Sequence, residues 1–364
     1  MVASGFDKSP QEADAETKAD LHFKCVFRLS KLPLRRSVQI MPATLTNLRQ
    51  KDLIPLSSAS LITDEWPDVD VYLCSSSDAV PVLFFAGSET AARGRLPKLD
   101  PSLSEKLFID QSDSTKYQEY LEANWRDIVA RDDLPPVGRV GVMSDVMRQV
   151  LSSEFARGDV AKIMSASKEL GASTCEVIAD SPLAVCQLLS VLHHDYGTFT
   201  HSTNVAIFAV LLARQLGYSG TDLDNIAVGG LVHDLGKLRI ASSILNKPGR
   251  LSDEEFRIVQ EHPTVGYREL CKQPDISFDQ LMMVYQHHEK MNGSGYPVGC
   301  SGDEIHDWAK ICTVVDVYEA LTSNRPYRKP ASRDTALAIL NNGDGTEFDS
   351  EILKCWRAVL TTKK

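Results

Sequence analysis

Hydrophobic period changes once along this chain, near Leu134-Pro135-Pro136, and that change constrains the fold more than any other feature. Upstream, β-branched and aromatic residues gather in short runs separated by turn-forming residues: His22 to Arg28, Val38 to Pro42, Val69 to Cys74, Val80 to Ala86 and Lys106 to Asp110. Runs of that length and composition predict strands. Ser114 to Ala130 then sets Tyr117, Tyr120, Leu121, Trp125 and Ile128 on one helical face. Downstream the spacing is almost wholly helical. It begins with the stripe Val140, Met143, Met147, Val150 and Leu151 and continues through Cys175 to Leu192, Ser202 to Leu216, Leu223 to Val232 and Asp253 to His262. Gly266 to Leu270, Phe278 to His288, Trp308 to Leu321 and Ser332 to Leu340 follow. Paired prolines make a natural boundary between the two regimes. The expected architecture is multi-domain α+β: a disordered tail over residues 1–20, a small α/β domain over 21–135 and an all-α domain over 136–364.

A length of 364 residues suits about two domains. The longest apolar runs, Val80 to Gly87 and Val205 to Ala213, fall short of the roughly 20 residues a membrane span needs. The polar, acidic N-terminus has no apolar signal-peptide core, so the expected location is the cytoplasm. A net charge of −10 argues against coating a polymeric nucleic acid. An acidic protein can still draw a phosphodiester if metals and a few local cations supply the field. The eight cysteines form no C-x-x-C pair, which disfavours a thiolate zinc site. The first half carries no catalytic constellation and reads as a sensor, dimerisation or scaffold module, so a homodimer is one expected assembly.

Histidine is scarce and clustered: eight of the nine fall between His193 and His306. His201 opens a helix in Thr-His-Ser, His233 and Asp234 are adjacent in LVHDLGK, and His262 ends a helix before Pro263. His287, His288 and Glu289 form a second run, and Asp316 lies in the apolar stretch CTVVDVYEAL. Adjacent residues on a helix point about 100° apart, so a His-Asp pair can face one cavity. Burying so many polar groups without partners costs several kcal/mol. A shared metal cluster satisfies them together, and imidazole with carboxylate suits Fe, Mn or Zn. His193, His194 and His306 read as ordinary polar residues.

His233-Asp234-Leu235-Gly236-Lys237 resembles the H-D-x-G-K motif of the HD superfamily, and the run from His287 to Pro297 resembles the H-H-E-x-x-(D/N)-G-x-G-Y-P signature of HD-GYP domains. ILNKPGRLSDEEF, QEHPTVG and ALTSNRPYRKP resemble family segments in the expected order, so the likeness covers about Thr174 to Asp349. The resemblance implies an HD-type helical domain that hydrolyses cyclic di-GMP, a bacterial second messenger, to pGpG or GMP with iron or manganese and a metal-activated hydroxide. Carried over by position, the metal ligands are His201, His233, Asp234, His262, His287, His288 and Asp316, with Asp234 or Asp316 bridging. Three-metal relatives carry a glutamate where this chain has Gly197, so two metals are expected. Lys237 is implied as a phosphate contact in catalysis beside Asp234. Arg325, Arg328 and Lys329 are implied as cations for the rest of the dinucleotide, and Tyr296 as a ligand contact or a docking residue for diguanylate cyclase domains. Glu289 is expected to orient the histidine pair.

Three other readings compete with hydrolysis of cyclic di-GMP. One is a module that binds a cyclic dinucleotide and signals through the Tyr296 loop without turnover. Another keeps the chemistry but takes cyclic GMP-AMP. A ppGpp-type hydrolase would fit His233-Asp234 but leaves Gly295-Tyr296-Pro297 unexplained.

Overall fold

The computed structural model describes residues 53–56, 61, 67–74, 81–87, 107–130, 136–179, 198–323 and 329–361. These all fall within one compact unit. The strands expected over 22–28 and 38–42 lie outside the described residues.

Among the described residues, four short strands form one antiparallel sheet: β1 (Leu53–Leu56), β2 (Val71–Leu73), β3 (Val82–Phe85) and β4 (Leu107–Asp110), in the order β1-β4-β2-β3. β2, β3 and β4 fall on three of the predicted runs. β1 was missed because Pro55 interrupts LIPL; it pairs with β4, Leu53 opposite Asp110 and Leu56 opposite Leu107. Helix α1 (Ser114–Val129) buries the face predicted for it, with Tyr117, Leu121 and Ile128 at 0 % exposure.

Helices then dominate: α2 (Pro136–Arg157), α3 (Val160–Ala179), α4 (Thr198–Gln215), α5 (Thr221–Val232), the single turn α6 (Ser242–Leu245), α7 (Asp253–Gln260), α8 (His262–Leu270), α9 (Phe278–Gln286), α10 (Asp307–Thr322), α11 (Arg333–Asn342) and α12 (Ser350–Thr361). α3 begins well before its expected start, and α12 had no counterpart in the sequence reading. Ser252 caps α7 through a complete capping box with Glu255, and Ser277 caps α9 in the same way with Gln280. Gly217, just past α4, takes φ +97°, the left-handed conformation that ends helices.

Two apolar cores result. One joins α4, α5, α10, α11 and α12 around Phe208, Tyr318 and Trp356, whose rings meet at 5.1–5.8 Å. The other runs without a break from Val71 and Ile109 of the sheet through α1 and α2 to Leu231, Val232 and Leu235. These last three flank His233 and Asp234, so the sheet and the histidine cluster share packing.

Candidate metal centre

The last carbonyls of an α-helix have no intrahelical partner. Three histidines use them. His233 is the C-cap of α5, His287 is the C-cap of α9, and His262 lies two residues past the end of α7. Each donates its Nδ1–H to the carbonyl three residues earlier: His233 to Gly230 at 2.8 Å, His262 to Val259 at 2.6 Å and His287 to Val284 at 2.8 Å. A carbonyl can only accept, so the proton is on Nδ1 and each Nε2 presents a lone pair. The negative ends of α5 and α9 lie beside His233 and His287, a field that favours cations.

Those Nε2 atoms meet each other and Asp234. His262 Nε2 lies 3.3 Å from His287 Nε2 and 3.2 Å from Asp234 Oδ1, and His287 Nε2 lies 3.8 Å from the same oxygen. Lone pair faces lone pair at these contacts. His233 Nε2 and Asp234 Oδ1 are buried without a hydrogen-bond partner, because the neighbouring atoms are within reach but wrongly directed. Protonating a ring would relieve one contact. Burial, and after it the neighbouring rings, holds His287 well below the usual histidine range, and burial brings His288 down to about 3. The arrangement fits cations placed among the nitrogens.

All seven expected ligands come together. One ligand atom from each of Asp234, His262, His287 and His288 falls in a group whose members are all within 4.8 Å, as do His201 with His233 and Asp234, and His233 with His287 and Asp316. Asp234, His233 and His287 each belong to two groups, and Asp234 presents two oxygens, the geometry of a bridging carboxylate. Five imidazoles and two carboxylates, with no thiolate, suit borderline divalent ions such as Fe, Mn or Zn. Burial alone would raise both aspartates. Lys237 and His233 beside Asp234, and His201 beside Asp316, hold both carboxyls well below the usual carboxylate range.

His201 is held differently. Its Nδ1 meets Glu319 Oε2 at 2.6 Å, and its Nε2 lies 3.1 Å from Asp316 Oδ1. Burial opposes charge on this ring, but Glu319 and then Asp316 outweigh it and push the pKa up to about 10. Glu319 is 2 % exposed and also accepts from Asn204 Nδ2 and Ser323 Oγ. Sequence reasoning missed it. The signal was present: Glu319 follows Asp316 by three residues, on the same face of an apolar helix.

Other expectations shift. Asp234 is not helical alongside His233; it is the N-cap of a 3-10 turn, Leu235–Arg239, that begins where α5 ends. His262 opens α8 rather than ending α7, because Pro263, with no N–H to give, sits in the first turn of the new helix. Lys237 Nζ lies 2.5 Å from Asp234 Oδ2. Glu289 does not touch the histidines: its carboxylate accepts the backbone N–H of Val298 at 2.7 Å and of Gly299 at 3.0 Å, closing the loop of the second motif. Tyr296 lies on the cluster, its ring stacked on His288 at 4.7 Å and 29°.

Two glycines set these contacts by close approach. A Cβ on Gly236 would run into the carbonyl of His262, and one on Gly295 would meet Glu289 Cα at 2.5 Å and His288 O at 2.6 Å. His306 caps α10 by accepting from Trp308 N and also meets Asp279, an ordinary structural role. Lys329 is exposed. Arg325, Arg328, His193, His194 and Gly197 lie outside the described residues.

A family model described as "HD domain" matches residues 177–352. The chain is 35% identical over 175 residues to the cyclic di-GMP phosphodiesterase PA4108 of Pseudomonas aeruginosa, covering 48% of this chain and 42% of that one. It is 40% identical over 164 residues to 3'3'-cGAMP-specific phosphodiesterase 3 of Vibrio cholerae, covering 45% and 35%. The chain thus spans less than half the length of these relatives. Its fold is similar to that of Bd1817, an HDG"Y"P protein from Bdellovibrio bacteriovorus, with a TM-score of 0.58 at 17% identity over 85% of this chain and all of the other. That likeness in fold extends beyond the segment matched as an HD domain. Residues 177–352, just under half of the chain, therefore carry an HD domain.

Proposed function

We propose that the chain is a phosphodiesterase that hydrolyses cyclic di-GMP to pGpG or GMP at the cluster of His201, His233, Asp234, His262, His287, His288 and Asp316. The observation that carries this reading is the facing set of Nε2 lone pairs, each fixed by a backbone carbonyl, around the carboxylate of Asp234. Divalent ions held by these residues would supply a water acidified toward neutral pH and positive charge at the phosphate oxygens. The protein's own contribution is placement. Neutral imidazoles keep their lone pairs directed inward, Asp234 and Asp316 stay ionised, and Tyr296 covers His288 on one side.

Lys237, one turn beyond His233 and paired with Asp234, is the cation best placed to turn toward a bound phosphate. Arg325, Arg328 and Lys329 are assigned to the remainder of the dinucleotide, and residues 21–135 to regulation. A diguanylate cyclase domain docking at the Tyr296 loop, a homodimer and a cytoplasmic setting complete the reading. Cyclic GMP-AMP is the second substrate to weigh, because the Vibrio cholerae relative, at 40% identity, is named as specific for it.

The test joins metal content to turnover. Anaerobically purified protein should carry close to two iron or manganese ions per chain and convert cyclic di-GMP to linear product. Asp234→Ala should lose both the metal and the activity while keeping its helical circular dichroism. Full activity in that variant would end the metal-cluster reading, and occupancy near three would end the dinuclear one.

A further inference from the structure

α7 buries none of its residues, yet it carries Phe256 with 46 % of its surface exposed. The side chain therefore adds little to the core. Its surroundings are specific. The Phe256 ring meets Tyr296 edge-on, centroids 6.4 Å apart at 80°, and Tyr296 in turn stacks on His288 and stands 6.5 Å from the ring of His262. One aromatic step thus separates an exposed apolar ring from two candidate metal ligands. Its helix is firmly set: Ser252 and Glu255 cap it reciprocally, and Lys247 holds the Glu255 carboxylate through both oxygens at 2.6 and 2.8 Å.

On the reading that the cluster takes a cyclic purine dinucleotide, we propose that Phe256 is a specificity-determining residue whose exposed ring stacks against a purine base of the substrate. Every nucleobase has a π-face, and a fixed aromatic side chain beside a phosphate site offers it a partner at small entropic cost, since a phenylalanine has only two side-chain torsions to freeze. A purine offers more stacking area than a pyrimidine. The placement also divides labour within the site: the cluster engages the phosphate, which all cyclic dinucleotides share, and Phe256 engages the base, which they do not.

The test uses the full chain loaded with manganese. Phe256→Ala, Phe256→Leu and Phe256→Trp are compared with wild type for metal content, for calorimetric Kd and for KM and kcat with cyclic di-GMP and with cyclic di-UMP. Phe256→Ala and Phe256→Leu should weaken binding of cyclic di-GMP roughly tenfold. Cyclic di-UMP should be affected much less, so that the purine preference shrinks. Phe256→Trp should restore it, and all variants should keep wild-type metal. Equal losses for both dinucleotides, unchanged Kd in Phe256→Ala, or metal lost in step with affinity would overturn the assignment. Wild type that binds cyclic di-GMP without cleaving it would end the hydrolase reading while the Kd series still decides Phe256; wild type that binds neither dinucleotide would overturn both.

Discussion

At the scale of single residues, the site is a problem in where protons sit. His233, His262 and His287 each commit Nδ1–H to a carbonyl, while His201 commits to Glu319. These two devices respond to pH in opposite directions once the metal is stripped. A ring whose pKa falls on folding takes up a proton only when the chain unfolds. His287 and His288 therefore destabilise the folded state progressively as pH drops below about 6.5. His201 is raised, so its pairing with Glu319 is whole below about 6.5 and is lost as pH climbs through about 10. The thermal midpoint of metal-free protein should peak near neutrality and fall toward both pH 5 and pH 9; a midpoint still rising between pH 7 and 9 would contradict the His201–Glu319 pair. Lys237 gives a second residue-scale prediction. Lys237→Ala should lower turnover of cyclic di-GMP by roughly ten- to thousandfold with metal content retained, as for loss of one charge-assisted phosphate contact. Unchanged kinetics would make the lysine merely a counter-ion for Asp234.

At the scale of elements, the junctions carry the chemistry. The loop from His288 to Gly299 is folded against its own start, with Tyr296 N donating to His288 O at 3.2 Å and Glu289 gripping Val298 and Gly299. Gly295→Ala would place a methyl against Glu289 Cα and Lys290 N, so the loop must lift and Tyr296 must leave His288. Activity with cyclic di-GMP should drop at least tenfold while the helices stay intact by circular dichroism. Wild-type kinetics would show that the stacked tyrosine is dispensable. Much of this layer was legible in sequence, because helical spacing and caps such as Ser252 are local signals. Helix joints were less so. That His262 begins a helix, and that His233 and Asp234 straddle one, depends on which carbonyls find partners in three dimensions. Glu289 was misjudged for the same reason: a buried glutamate reveals its partner only when backbone from another segment, here Val298 and Gly299, arrives beside it. The strand β1 hid behind a proline that an edge position tolerates.

At the scale of the whole molecule, one core runs from the sheet to the flank of the HD motif. Leu121 of α1 is fully buried in it together with Leu231 and Leu235. Leu121→Ala should cost about 2–5 kcal/mol, and calorimetry should show the loss in the same transition that releases the metal. Separate transitions, with metal release unmoved, would mean that the packing is shared without being cooperative. The three main-chain contacts behind the histidines have a further consequence. Since His233, His262 and His287 are each steered by a carbonyl and not by another side chain, point substitutions around these three have no orienting hydrogen-bond partner to delete. A change of length does. Adding or removing one residue inside α5, α7 or α9 would rotate the helix end by about 100° and carry the ligand off its neighbours. In descendants of this chain, then, these helices should keep count of their residues, with insertions confined to the connections between them.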